Sequence, residues 1–276
     1  MTAKQRFEAG QLAEAVSAAV DEVKKRPMDE SCRWFLCELL CFTGDLDRAD
    51  KQLDLIASQD PKALAGVALF RQLVRAELAR QEVFRQGRVP EFLGAPDPVL
   101  RAHVAALIEL RSGNELKAGE LLSQAQGHAH PAPGVCDGAP FDDVRDLDDS
   151  CGPFLEVLTS TGKYYWVPFS TIESLEFRPP KRPRDLVWRQ TDLSVNGGPN
   201  GEVYIPCLYA GTAASADNQL KLGRATDWIG ENPVRGVGQR MLLVGETDKS
   251  ILEITKIDFT HSRSIAEPEP PPAVTA

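Results

Sequence analysis

Positive charge is in short supply in this sequence. Across 276 residues, 31 lysines and arginines face 40 aspartates and glutamates, for a net charge of −9. A general nucleic-acid binder needs a basic surface to displace counterions from phosphates, so no nucleic-acid partner is expected. Long apolar runs are also missing. The densest, "WFLCELLCF" at 34–42, falls far short of the roughly 20 residues that cross a bilayer, and no membrane partner is expected. The opening "MTAKQRFEAGQLAEA" carries charge but no apolar core of a secretory signal, which points to a cytoplasmic location. Aromatic residues make up only 7% of the chain, yet "GKYYWVPF" at 162–169 places three in a row and a fourth close behind.

Reactive groups are equally sparse. Cysteines stand at 32, 37, 41, 136, 151 and 207 with no CxxC pair and no knuckle spacing. Three fall inside one apolar helix, where a free thiol acts as a small hydrophobe, so reduced cysteines are expected. The histidines are His103, His128, His130 and His261. His128 and His130 could gather a metal with Cys136 and Asp137, but they lie in a Pro/Gly stretch without the second ligand pair of a structural zinc site. The acidic run Asp142, Asp143, Asp146, Asp148 and Asp149 lacks the turn glycine and distal glutamate of a calcium loop, and reads as a solvated loop. No GxSxG, P-loop, HExxH or EF-hand pattern occurs, so no catalytic residue, cofactor or metal is expected.

What is present divides into two halves. Residues 1–127 are rich in Ala and Leu with helical periodicity, and form the first domain. Residues 128–140, where "GHAHPAPGVCDG" (127–138) cannot continue a helix, read as a linker. Short β-branched and aromatic runs between Gly, Pro and Asn make a second domain over 141–261, and the proline-rich end, 262–276, reads as a disordered tail. The first half repeats. "GQLAEAVSAAVDEVKKRP" (10–27) aligns with "GDLDRADKQLDLIASQDP" (44–61), pairing Gly10 with Gly44, Leu12 with Leu46, Ala15 with Ala49 and Pro27 with Pro61, each 34 residues apart. That is the tetratricopeptide period. Glycine allows the left-handed turn ending the first helix of a hairpin, alanine allows close helix approach, and proline stops the second helix. A degenerate third copy begins at Gly113, with Ala118 in place of the packing alanine. Further helices run from Pro61 to Gly87 and from the Asp97 cap and Pro98 to Gly113.

In the second half, "NGGPNG" (196–201) has no lysine and no following helix to aim at a phosphate, and reads as a hairpin turn. Strands are expected at 234–245 and 250–259, joined by "ETDK", and "SADNQLKLGRATDWIG" reads as a short helix and loop. In "GKYYWVPF" both faces of the strand carry large apolar bodies and only Lys163 is basic, so the stretch reads as core, with one aromatic face docked on the helical domain, rather than as a base-stacking platform. The expected fold class is therefore multidomain α and β: a tetratricopeptide-like α-α superhelix, then a small antiparallel β-barrel of SH3-like type with a short helical insertion.

Several stretches carry a family resemblance. They are "RPMDESCRWFLCELLCFTGDLDRADKQL", "VFRQGRVPEFLG", "GPFLEVLTSTGKYYWVPFSTIESLEF", "PRDLVW", "GEVYIPCLYAGT", "RATDW" and "GVGQRMLLVG". Together they resemble the ImpE family, also called TagJ, accessory proteins of bacterial type VI secretion clusters. Tyr209-Ala210-Gly211-Thr212 departs from the family's usual pattern by lacking a proline. The resemblance implies helical repeats joined to a small barrel and no enzymatic activity. It also implies protein partners: the N-terminal helix of the small sheath subunit, and the ATPase that recycles contracted sheath.

In the register set by Gly44, Trp34, Glu38 and Phe42 share one face of the preceding helix and could cradle an amphipathic partner helix. The other reading is that this helix, apolar nearly all round, is buried and Trp34 is core. Arginines 71, 75, 80, 85 and 88 line the next long helix and its exit; most read as solvated, and Arg71 with Arg75 form the one close pair on a face, suited to acidic residues of a partner. The alternative function is a small-ligand or enzymatic module on the β domain around Arg184, Asp185 and Asp227.

Overall fold

A computed structural model describes residues 1–260, and the tail expected at 262–276 lies outside the described residues. The helices begin and end where short polar side chains and glycines dictate. α1 (Ala3–Glu8) opens with Thr2, whose hydroxyl accepts the Gln5 N–H while the Gln5 side chain accepts the Thr2 N–H. α2 (Leu12–Lys25), α3 (Glu30–Phe42) and α4 (Leu46–Gln59) follow, with Asp29 accepting the Ser31 N–H at the start of α3. Gly10 and Gly44, at φ of 78° and 70°, make the left-handed turns after α1 and α3. Leu12, Ala15, Leu46 and Ala49 are all buried, so the matched positions of the 34-residue repeat occupy matched places in two successive helix pairs.

α5 (Leu64–Gln86) spans 23 residues, roughly 35 Å at 1.5 Å per residue, and Gly87 ends it in the left-handed region. α6 (Pro98–Arg111) starts with Asp97 accepting the Leu100 N–H and Pro98 at its first position, and α7 (Glu115–Gln126) packs back on it. Consecutive helices pack on one another from α1 to α5, and α5 continues onto the sheet.

The strands are β1 (Gly134–Cys136), β2 (Ala139–Phe141), β3 (Val144–Asp146), β4 (Phe154–Thr159), β5 (Tyr164–Pro168) and β6 (Ile172–Phe177). After a 3-10 turn at Pro183–Leu186 come β7 (Trp188–Val195), β8 (Asn200–Pro206), the short helix α8 (Asn218–Lys221) and β9 (Thr226–Ile229). The chain finishes with β10 (Arg235–Gly238), β11 (Met241–Val244), β12 (Thr247–Ser250) and β13 (Lys256–Phe259). Eight strands form one antiparallel sheet in the order β2-β1-β13-β6-β7-β8-β4-β5; β12-β11-β3 form a second sheet and β10-β9 a ribbon. Among the described residues the large sheet does not close into a barrel: β2 and β5 are its outer strands.

Three details differ from the sequence reading. The stretch 128–140 carries β1 and runs into β2. The strand expected over 234–245 is two strands, β10 and β11, parted at Gln239-Arg240. β11 turns at Gly245-Glu246 into β12, so only 256–259 of the stretch expected over 250–259 is the last strand, paired with β1 and β6. By contrast, 196–199 joins β7 to β8 and 160–163 joins β4 to β5 as hairpin turns, with Gly162 at φ of 83°.

The sheet is buried on both faces, and side-chain alternation sorts them. Phe154, Leu158, Tyr164, Trp166, Trp188 and Tyr204 join the core of α3 to α6. Leu155, Val157, Val167, Leu193, Ile205 and Leu242 fill a second core on the far side. "YYWV" is thus wall shared by two cores: Trp166 stacks on Phe154 and meets Phe92 edge-on. Gly236 marks a close approach of β10 to Tyr209, since a Cβ there would run into the buried Tyr209 ring. Gly236→Ala should therefore cost about 1–3 kcal/mol of stability through overpacking, read as a lower urea midpoint with unchanged slope.

Candidate functional site

Charged residues sit where the helices meet the sheet. Glu77 and Arg80 lie on the face of α5 that turns toward β4, in step with buried Phe70 and Leu73 at helical spacing. Arg80 grips Glu156 of β4 with two nitrogens, Nε to Oε1 at 2.7 Å and Nη2 to Oε2 at 3.0 Å. It also donates to the Leu208 carbonyl at 3.0 Å and to Glu77 at 3.3 Å. Glu156 accepts as well from the Tyr164 hydroxyl and from Arg240. Arg240 reaches on to Asp146 at 3.2 Å, and Tyr209 places its hydroxyl 3.0 Å from the same carboxylate. Trp166 donates to the Tyr164 hydroxyl at 2.6 Å and Trp188 to Glu77 at 3.1 Å. Arg240, Asp146 and Glu156 are fully buried. Partners of this kind are what make a buried charge tolerable.

This junction overturns one sequence expectation and supplies the exception to another. The acidic run is not a solvated loop throughout. Asp146 and Asp148 are buried, with Asp148 accepting from the Ser150 N–H at 2.8 Å and the Gly236 N–H at 3.0 Å, because the run folds back under the β10 ribbon. Burial pushes the Asp146 carboxyl up to about 6 even though Arg240 pulls the other way. Arg80, one of the helix arginines, is likewise interior rather than solvated. Two signals in the sequence could have flagged the network: Arg80 on the apolar stripe of α5, and the lone carboxylate inside "FLEVL".

The sequence-nominated residues fall in two places. Trp34 is half-buried and stacks on Phe70 across a 6.1 Å centroid separation. Phe42 is in the core against Phe7. Glu38 is buried beneath the 3-10 turn at Pro183–Leu186, with Arg182 Nε at 3.9 Å. The face bearing these three is thus occupied by α5 at Trp34, by the 3-10 turn at Glu38 and by α1 at Phe42. Arg71 and Arg75 instead line an open groove of about 280 Å³ between α4 and α5, together with Asp47, Asp50, Lys51 and Leu78. Arg71 is held there by Asp50, at 2.7 and 2.9 Å, and by Asp54 at 3.0 Å. Arg75 is exposed, lies beside Gly162 of the β4–β5 turn, and among the described residues hydrogen-bonds to Gln72, at 3.3 Å.

Burial pushes the thiols of Cys37 and Cys207 up to about 12, the opposite of an activated nucleophile. Among the described residues no three His, Cys, Asp or Glu side chains gather as a metal site. Arg184 lies over the Phe70 ring at 4.9 Å, Asp185 accepts the Lys181 and Arg182 N–H groups, and Asp227 accepts the Trp228 N–H on β9. No hydrogen bond or ion pair among the described residues joins Asp227 to the other two. No helix of the described residues is long and apolar enough to cross a membrane.

Three comparisons bear on this architecture. The family model for ImpE protein matches residues 138–258. The type VI secretion system accessory component TagJ of Pseudomonas aeruginosa is 32% identical over 259 residues, covering 94% of this chain and 91% of the relative. The crystal structure of protein VPA1032 from Vibrio parahaemolyticus has a TM-score of 0.89 at 29% identity, covering 96% of this chain and 99% of that one. The similarity runs through both halves and across the junction between them.

Proposed function

The chain belongs to the ImpE family, to which the secretion accessory component TagJ is related along nearly its whole length, and from that premise we propose that it is a non-enzymatic adaptor of a type VI secretion system. In this reading the N-terminal helices bind a helical segment of a sheath component in the cytoplasm and link it to the ATPase that recycles contracted sheath. The observation that carries the proposal is the 94% coverage by a named secretion accessory component, which takes in the helical half as well as the sheet. The buried, high-pKa thiols are poor nucleophiles, in keeping with a binding role.

The α4–α5 groove is the better seat for the partner than the α3 face. It is open, it has apolar walls in Val74 and Leu78, and it presents Arg75 without a carboxylate partner among the described residues. Trp34 borders the helical face beyond it, while Glu38 and Phe42 act from inside by fixing α3. An amphipathic helix laying apolar residues between α4 and α5 with an acidic residue toward Arg75 fits this surface.

The test is a titration of the purified protein with a labelled peptide covering the N-terminal helix of the small sheath subunit from the same organism, followed by fluorescence anisotropy. Saturable binding is expected. Arg75→Glu should weaken it about tenfold, roughly 1.4 kcal/mol, with a loss of salt dependence. No binding of the peptide to the wild-type protein would defeat the adaptor reading. Binding that ignores Arg75→Glu would move the site elsewhere.

A further inference from the structure

A second opening lies on the other side of the molecule, where the α6–α7 hairpin leans over β3. It is a cavity of about 470 Å³, within the size range of small-molecule sites. Its floor is made of buried side chains: Leu122 from α7, Ala132, Val144, Phe169, and His103 from α6. Its mouth carries Asp143, Arg145 and Asp149.

His103 is the informative residue. It is only 3% exposed, and its Nδ1 lies 3.0 Å from the Ser150 carbonyl oxygen. A carbonyl can only accept, so Nδ1 must carry the proton and donate. Burial also pushes the pKa of the ring down to about 4, so near neutrality no second proton is present. Nε2 is therefore a bare acceptor. The ring packs edge-on against Phe154 and lines the cavity, and Nε2 has no hydrogen-bond partner among the described residues. An acceptor left in this state at the wall of a cavity is a position for a donor brought from outside.

The mouth adds a sign. Asp143 spends Oδ1 on the Ala132 N–H at 2.9 Å, and Asp149 spends Oδ2 on the Val234 N–H at 2.8 Å. Arg145 reaches Asp149 only at 3.4 Å. Two carboxylates against one guanidinium leave the entrance negative, in keeping with the net charge of −9. An anionic ligand is disfavoured there, and a cationic group is welcome.

The geometry points to this cavity as a binding site for a small aromatic amine: a flat apolar body against Leu122 and Phe169, an N–H donated inward to His103 Nε2, and an ammonium group outward toward Asp143 and Asp149. The site is independent of the adaptor reading, because it shares no residue with the α4–α5 groove.

Tryptamine and 3-indolepropionate serve as probes, since they share the indole N–H and differ in the sign of the tail. Binding to the full-length protein is followed by calorimetry and by amide NMR shifts. Tryptamine is expected to bind saturably, and the propionate about tenfold or more weaker. Ser123→Trp, on the exposed face of α7 at the mouth, should abolish binding while leaving the fold intact; His103→Phe should weaken it about tenfold with a similar ring shape. The assignment is overturned if tryptamine shows no saturable binding into the millimolar range, if both probes bind equally, or if Ser123→Trp binds as the wild type does.

Discussion

Glu156→Gln is expected to lower the stability of the protein by about 3–5 kcal/mol, the usual cost of removing one partner from a buried charge cluster. Glu156 is the hub: it neutralises Arg80 and Arg240 and accepts from Tyr164, and all of them are inaccessible to water. Glutamine keeps the size but offers an NH2 group to guanidinium donors and removes the carboxylate that Arg80 and Arg240 share, leaving each with only its second anion, Glu77 or Asp146. The comparison that isolates burial is Asp54→Asn, which removes one partner of the half-exposed Arg71 and should cost under about 1 kcal/mol. Both are read from urea unfolding followed by tryptophan fluorescence, where Trp166 and Trp188 report on the junction itself. A double-mutant cycle of Arg80→Met with Glu156→Gln should show coupling above about 1 kcal/mol. If Glu156→Gln costs no more than Asp54→Asn, the network is an ornament of the interface and the shared apolar core alone joins helices to sheet.

The network matters for function because it fixes α5. That helix carries the α4–α5 groove on one side and Glu77 and Arg80 on the other. A charge cluster demands particular partners at particular distances, whereas apolar surfaces tolerate sliding. In the proposed adaptor, the groove that receives the partner helix is thus held in a set orientation to the sheet half. Glu156→Gln should therefore weaken peptide binding in proportion to the fraction unfolded at low denaturant, and no further when folded.

How much of this was readable from sequence follows from the range of each interaction. The bounds of α5 and α6 were legible because Gly87, Asp97 and Pro98 act on their own neighbours, as did the turn at 196–199. The repeat was legible for the same reason, one glycine and one alanine at a time. Sheet order was not. β13 slots between β1 and β6 across more than a hundred residues of chain from β1, and no local pattern encodes such a pairing. The polar junction was hidden likewise: Arg80 and Glu156 are 76 residues apart, and Glu156 and Arg240 are 84. On a helix wheel Arg80 resembles any surface arginine unless its position on the apolar stripe is weighed. The cradle reading of α3 placed Trp34, Glu38 and Phe42 on one face; the helix's nearly all-round apolarity signalled its burial, but no local pattern could reveal that the turn at Pro183–Leu186 is what packs on it.

That covered face yields the second large effect, which depends on pH. Glu38 is buried against the turn at Pro183–Leu186, and its pKa is raised from 4.5 to about 7, chiefly by burial; Arg182 and Arg184 pull it down and Asp185 pushes it further up. A carboxyl raised in the native state holds its proton more tightly folded than unfolded. Its contribution is fully favourable below about 4.5, where both states are protonated, and is lost as the pH climbs through about 7. At 1.36 kcal/mol for each pKa unit, the loss amounts to about 3 kcal/mol by mildly alkaline pH. Glu38→Gln removes the titration while keeping the shape. The variant should match the wild type near pH 4.5, gain on it steadily up to pH 7, and stay about 3 kcal/mol more stable above that. Measuring both proteins across this range cancels every other titrating group, including Asp146, whose raised pKa works in the same direction. Parallel curves would mean that Arg182, at 3.9 Å, already neutralises Glu38 in the folded protein. Divergence would identify the contact between α3 and the sheet half as the point where the fold is least at ease with its own charge.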